Sequence, residues 1–481
     1  MIRQSNKEVT STTRIRAFRL LLTGSSVSML GTRISNIALP MLALYLTGSP
    51  VAAGWTAFAA TAPSFLVYIP AGALVDRWNP KRVMLTSELG RGVAIATVVL
   101  ALLLDRLSLS LLISAAVVEE ILEVFSTLAE RRYVGSLVRH EQASSALVRM
   151  EARTHVVVLA GRPLGGFLFM VMPTLPFIAD TLSFVISVST LVGLKSRKAA
   201  RLPASVRARL SFLAITRQVS PRGVDRAASR RQGSVSARRL WNGIVEGLCW
   251  LRHDQFTRVT VALSAGTTLI CQALIMVFLS YAHSRHLSSL TIGIALAGSG
   301  LGGALGAMIA SRLPAPTRRP WTLARRGAWL AAIAILAMPG GLSFSRMAFV
   351  MAVLGFGGAL GNVELGTYLM QNAPKSMLAR VTSTGRLLSF GAAAIGPVLG
   401  GIAAQDFGIR TAVLLLLAAI SALSLFSFLM PSADASKEPG SGRPEIVSEF
   451  SGGHYTTMAD GLILATPAEP APDSPVLVAQ R

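Results

Sequence analysis

The sequence predicts an all-α membrane protein with about twelve spanning helices in two six-helix pseudo-repeats. Three observations predict it. Hydrophobic residues make up 52% of the 481 positions and charged residues only 14%, against roughly 25% charged in a soluble protein. Apolar runs of about 20 residues, enough to cross the hydrocarbon core, recur along the chain. Basic residues concentrate in alternate loops between those runs, as cytoplasmic loops do.

Taken in order, the runs place the spans as follows, with ends good to about 2–4 residues. In the first half they are α1 (18–46), α2 (51–75), α3 (83–104), α4 (108–129), α5 (152–172) and α6 (175–194). In the second half they are α7 (258–282), α8 (288–312), α9 (322–344), α10 (347–371), α11 (382–404) and α12 (409–430). The first run is too long for a signal-peptide core and lacks a clear cleavage site, so it is read as the first span.

Charge sets the orientation. Loops after even-numbered spans carry Arg77, Lys81 and Arg82, then Arg131, Arg132, Arg139 and Arg149, then the 195–257 stretch, then Arg312, Arg318 and Arg319, then Lys375 and Arg380. The opposite loops carry Arg106, Arg285, Arg346 and Arg410. This asymmetry places both termini in the cytoplasm. The organisation is thus a cytoplasmic N-terminus (1–17), a first bundle (18–194), a basic loop (195–257), a second bundle (258–431) and a tail (432–481). The loop ends in an amphipathic segment, with Trp241, Ile244, Val245, Leu248 and Leu251 at helical spacing, expected to lie on the membrane face. The tail is rich in Pro, Gly, Ser and acidic residues and is expected to be disordered.

The net charge of +23 is explained by these membrane anchors, and no nucleic-acid-binding pattern accompanies it. The two cysteines, Cys249 and Cys271, have no metal or disulfide spacing. No phosphate-binding Gly-Lys-Ser/Thr loop, His-Glu-x-x-His string or nucleophile elbow occurs, which argues against an enzyme.

Two matches relate the halves. Gly161-Arg162-Pro163-Leu164-Gly165-Gly166 in α5 resembles Gly396-Pro397-Val398-Leu399-Gly400-Gly401 in α11, 235 residues later. Gly72-Ala73-Leu74 in α2 resembles Gly303-Ala304-Leu305 in α8, 231 residues later. Near-equal offsets at equivalent spans point to duplicated halves.

These strings, with Gly72-Ala73-Leu74-Val75-Asp76-Arg77 followed by Lys81-Arg82, resemble the major facilitator superfamily. Ile37-Ala38-Leu39-Pro40, Leu46-Thr47-Gly48-Ser49-Pro50, Asp180-Thr181-Leu182-Ser183-Phe184 and the residues Gln371, Pro374, Arg380, Val381 and Ser383 are similar to its macrolide-efflux and enterobactin-exporter branch. Arg162 stands where that branch has proline. The resemblance implies a monomeric transporter in the bacterial plasma membrane that rocks its two halves about a central site. It implies no cofactor beyond a proton gradient, and no partner beyond the bilayer and a small amphiphilic cargo such as an antibiotic or siderophore. An importer, or a sensor on the same scaffold, are the alternatives. It also implies that Gly72, Asp76, Arg77, Lys81 and Arg82 form a cytoplasmic gate, with Asp76 as a latch toward the start of α11 and Arg131 or Arg132. The Gly and Pro residues of α5 and α11 (Gly161, Pro163, Gly165, Gly166, Gly396, Pro397, Gly400, Gly401) are expected to pack or bend the interface of the halves.

By the same resemblance α1, α4, α7 and α10 line the cavity. On α1, Ser25, Ser28, Thr32 and Ser35 form a polar stripe flanked by Arg33 and Asn36. This stripe is read as either cavity lining or a packing seam. On α4, Glu119, Glu120 and Glu123 sit within one turn near mid-span; Glu364 lies on α10; Ser264, Thr268 and Gln272 share a face of α7. Ionised side chains facing lipid cost about 2.5–3.5 kcal/mol each, so these groups are expected to face the cavity or one another. Arg33 is expected to pair with Glu119 or Glu123. The remaining carboxylate can then take a proton on one side and release it on the other. Structural ion pairing is the competing reading for all four groups.

Overall fold

The computed structural model describes residues 2–137, 143–194, 249, 252, 254–312, 319–337, 343–372 and 378–429. The amphipathic segment around Trp241, most of the basic loop and the tail lie outside them, as do Lys375 and Arg139.

All twelve spans are present as helices, and no strand occurs among the described residues. They are α1 (Ile2–Thr47), α2 (Pro50–Ala59 with Ala62–Val75), α3 (Pro80–Leu103), α4 (Leu109–Leu137), α5 (Ala143–Val171) and α6 (Leu175–Gly193). The second set is α7 (Gln255–Ser284), α8 (Ser289–Arg312), α9 (Arg319–Ala337), α10 (Phe344–Asn372), α11 (Leu378–Asp406) and α12 (Gly408–Leu429). Among the described residues nine helices are long and apolar enough to cross a membrane, and two shorter apolar helices, Val156–Val171 and Arg326–Ala337, fall within α5 and α9. The twelfth, α4, is long enough but too charged to qualify, because Glu119, Glu120 and Glu123 interrupt it.

Local chemistry sets the ends. Gly48 turns the chain after α1 with a positive φ of 64°, a conformation that costs glycine little. Ser49 then caps α2, accepting from the Ala52 amide at 3.2 Å, with Pro50 in the first turn. Asn79 caps α3 and Asp254 caps α7 in the same way. One expectation needs correction: α2 is not continuous. It breaks at Ala60–Thr61, just before Pro63. Proline lacks an N–H and its ring crowds the carbonyl four residues back, so the ladder cannot run through. The Thr61 N–H turns to the Phe58 carbonyl, and the Thr61 hydroxyl takes up the Ala57 carbonyl left over and shares that of Phe58.

Helix packing repeats between the halves. In the first, α1 packs on α5 and α6, α3 on α4 and α6, and α2 on α4. In the second, α7 packs on α11 and α12, α9 on α10 and α12, and α8 on α10. The halves meet where α5 packs on α8 and α11 packs on α2. Small residues line contacts both within and between the halves, so the glycines expected at the interface divide: Gly161, Gly165, Gly396 and Gly400 pack inside their own half, Gly166 and Gly401 across. A Cβ on Gly161 would sit 2.6 Å from the Arg33 Cβ of α1, and one on Gly165 would meet Ile34 and Ile37. At the equivalent positions Gly396 and Gly400 are pressed against Leu269, Gln272 and Ala273 of α7. Gly166 abuts Ser289 and Gly293 of α8, and Gly401 abuts Pro50 and Val51 of α2. Each glycine and its counterpart 235 residues later therefore meets the equivalent helix, which is what a duplicated bundle requires.

Candidate functional site

The first half holds a charged cluster inside its helices. Its centre is Arg91 of α3, whose side chain is 4% exposed. The guanidinium donates to Glu119 Oε1 through Nε at 3.0 Å and Nη2 at 2.6 Å, and to Glu88 Oε1 through Nη1 at 3.3 Å. Its Nη2 also donates to the Thr32 hydroxyl at 2.6 Å and stands 3.5 Å from Glu123. One face of the guanidinium covers the Phe184 ring at 4.7 Å. Glu88 accepts from Ser28 and Ser126, each at 2.7 Å. Asp180 of α6 is fully buried within electrostatic reach of Arg91 and Glu119. Buried charges survive only with this density of partners.

Of the two expected pairings the structure has the second. Arg33 approaches Glu123 at 4.0 Å, but the partner of Glu119 is Arg91. The reason is geometric: Arg33 points to the accessible side of α1, 34% exposed, whereas Thr32 and Ser28 face α3. The α1 polar stripe accordingly turns inward: Ser28 and Thr32 solvate the charges of α3, and Ser25 bonds to Glu130 at 2.6 Å. Glu130 is also paired with Arg153 of α5 at 2.7 Å.

The acidic triad divides by access. Glu119 is dry, with one oxygen on Arg91 and Oε2 without a hydrogen-bond partner. Glu123 is 21% exposed and Glu120 is also accessible. Carboxylate oxygens of all three lie within 4.8 Å of one another. Around Arg91 and Arg33 the described residues thus gather Glu88, Glu119, Glu120, Glu123 and Asp180.

Other expected residues are placed more simply. Asn36 has a buried Oδ1 without a partner. Gln272 and Thr268 are half-buried on α7, with Gln272 at the seam to α11. Glu364 lies on α10, and its side chain is outside the description. Asp76 ends α2, exposed and without an ion pair to a described residue. Arg132 instead donates to the Val75 and Trp78 carbonyls, and Lys81 donates to the Leu194 carbonyl. Both basic residues thereby satisfy helix C-terminal carbonyls, where a cation is favoured. Arg131 reaches Tyr68 at 3.4 Å.

Glu88, Arg91, Glu130 and Arg153 were not expected. The signal for the first two was available: an Arg three residues after a Glu, both inside an apolar span, is a functional pointer in its own right. A groove of about 470 Å³ between α2 and α4 is lined by Trp55, Phe58, Pro63, Leu66 and Val117. It is hydrocarbon throughout and has no charged group in its lining, so it is not the chemical centre.

A sequence model described as Major Facilitator Superfamily matches residues 21–390 and 259–466. The chain belongs to the major facilitator superfamily. This member is therefore a transporter, an integral multi-pass membrane protein. No protein of curated function matches its sequence. Among solved structures it is similar to a bacterial homologue of the iron transporter ferroportin in an inward-facing state (15% identity, TM-score 0.61, covering 86% of this chain and 98% of that one). It is also similar to a bacterial homologue of the human lysosomal transporter Spinster, inward-facing and unoccupied (14%, 0.58, 86% and 95%). The nucleoside transporter NupG is a third (11%, 0.56, 86% and 100%). At these identities the likeness speaks to fold.

Proposed function

We propose that this superfamily member is a proton-coupled exporter of a small amphiphilic compound, working as a monomer in the manner of the macrolide-efflux and enterobactin-exporter branch. The observation that carries the reading is the imbalance inside the first half. Arg91 and Arg33 face Glu88, Glu119, Glu120, Glu123 and Asp180. So many carboxylates cannot all stay ionised in a membrane interior beside two cations, and protons make up the difference. Glu119 is locked to Arg91, whereas Glu120 and Glu123 meet accessible space, so the exchangeable proton is assigned to these two. Cargo entering beside Arg33 draws it away from or toward Glu123, which links occupancy to protonation. Resemblance to the efflux branch supports outward transport. The gate residues Gly72, Asp76, Arg77, Lys81 and Arg82 are assigned to the opposite conformation, since Asp76 is free to engage there.

The test is transport in inside-out vesicles of a pump-deficient host, with a panel of toxic amphiphiles. Export predicts accumulation that an uncoupler abolishes. Glu120→Gln or Glu123→Gln should abolish the gradient-driven part while leaving downhill exchange. Uptake into right-side-out vesicles instead would establish an importer. Undiminished uphill transport in both variants would remove the proton assignment.

A further inference from the structure

Arg162 is a guanidinium without an acid. It lies on α5 at the seam of the halves, where Nη1 donates to the Leu296 carbonyl of α8 at 2.8 Å and to the Ser299 hydroxyl. No carboxylate among the described residues comes within ion-pair distance of it. The side chain is half-buried, and its accessible part borders the space between these helices. Two neighbours locate that space. Cys271 of α7 and Arg33 of α1 are both within electrostatic reach. Arg33 is also placed by contact, since its Cβ presses on Gly161, the residue before Arg162. Cys271 is likewise half-buried. Helices α1, α5, α7 and α8 therefore converge here from both halves.

The other described arginines near mid-span in the first half are matched. Arg91 has Glu88 and Glu119, Arg153 has Glu130, and Arg33 has Glu123. Arg162 alone among them holds only neutral oxygens, both through Nη1, and its Nε and Nη2 make no hydrogen bond to a described residue. A buried cation is costly to leave uncompensated, and a guanidinium is shaped to take an oxyanion through two parallel N–H bonds. We propose that Arg162 docks an anionic group of the cargo, a carboxylate, in the space between the halves. The cargo class is accordingly an amphiphilic carboxylate: its apolar body lies against the helices and its anion sits at the α5–α8 seam. This rests on reading that space as the transport site. It also gives a placement, with the cargo's anion near Arg162 and the exchangeable protons at Glu120 and Glu123 on the far side of Arg33.

Two measurements on the purified full chain test this without a proton gradient, so a wrong direction or coupling ion leaves them unaffected. The first uses Cys271 as a local probe in a Cys249→Ala background. Rates of modification by an anionic and a cationic methanethiosulfonate reagent are compared. The anionic reagent should be favoured, and the ratio should fall several-fold in Arg162→Gln while Arg162→Lys retains it. The second measures binding of carboxyfluorescein and of tetramethylrhodamine ethyl ester, a cation of like size, by fluorescence polarisation. The wild type should prefer carboxyfluorescein, and Arg162→Gln should weaken that binding about tenfold or more with the rhodamine unaffected. A rate ratio unchanged in Arg162→Gln, a wild type that prefers the cation or binds no carboxyfluorescein, or an undiminished anion affinity in Arg162→Gln would each overturn the assignment. Melting temperatures of both variants, within a few degrees of wild type, establish that the protein measured is folded.

Discussion

Arg91 holds three helices together through one guanidinium: its own α3, α4 through Glu119, and α1 through Thr32. Removing it leaves Glu88 and Glu119 buried without their cation. Breaking a buried pair from one side costs about 3–5 kcal/mol, most of it the stranded charge. Arg91→Ala is therefore expected to lower the melting temperature of the detergent-purified protein sharply. Arg91→Met combined with Glu119→Gln and Glu88→Gln should recover much of that loss, because no charge is left stranded. If the single variant melts like wild type, the cluster is not structural. This residue also marks the limit of what could be read from sequence. Glu119, Glu120, Glu123 and Arg33 stood out because they fall on helices that line the cavity in this superfamily. Glu88 and Arg91 sit on α3 and were passed over for that reason. Spacing along one helix shows which groups share a face, but the partner across a helix pair depends on the rotation of each helix about its axis. Arg33 and Thr32 are neighbours in sequence and point to different places.

At the level of elements the sequence was more informative, because span length and loop charge are set by the bilayer rather than by packing detail. Most predicted ends fall within a few residues of the observed ones. The exceptions have local causes: α1 begins at Ile2, α4 runs on to Leu137 and α5 begins at Ala143, since helices outlast their apolar segments, α2 breaks before Pro63, and α9 is described only to Ala337. The glycine strings permit a contrast. A side chain at Gly401 would stand 2.5 Å from the Pro50 carbonyl, whereas one at Gly72 would meet nothing within 4 Å. Gly401→Val must push α11 from α2, and overpacking of this kind costs about 1–3 kcal/mol. It is expected to lower both melting temperature and transport. Gly72→Val should leave the stability within about 0.5 kcal/mol of wild type, and so the melting temperature nearly unchanged. If the gate motif closes in the other conformation, the same variant should still slow transport. A Gly72→Val protein with full transport would show that no close approach ever occurs there.

For the whole molecule, the internal repeat is consistent with the proposed rocking of two bundles as units. Each has the same packing pattern, and they touch through equivalent helix pairs, α5 with α8 and α2 with α11. Several of the contacts between them cluster at one end. There the Ser49 hydroxyl bonds to Gln405 Oε1 at 2.7 Å, the Val51 amide reaches the same oxygen at 3.3 Å, and Gly54 lies against the Pro397 carbonyl. In the orientation expected from the loop charges, this is the outer end. These are weak polar contacts and small-residue approaches, with no ion pair among them. Exposed contacts of this kind contribute little individually. A junction held this way can open without a large barrier, which alternating access demands. Ser49→Cys with Gln405→Cys, in a chain lacking Cys249 and Cys271, should cross-link readily with a short bifunctional thiol reagent. The linked protein should bind cargo from the cytoplasmic side yet fail to complete transport, and cleaving the link with a reductant should restore turnover. Transport at the wild-type rate with the link intact would mean that this end does not part during the cycle, and the two-bundle rocking motion would have to be abandoned.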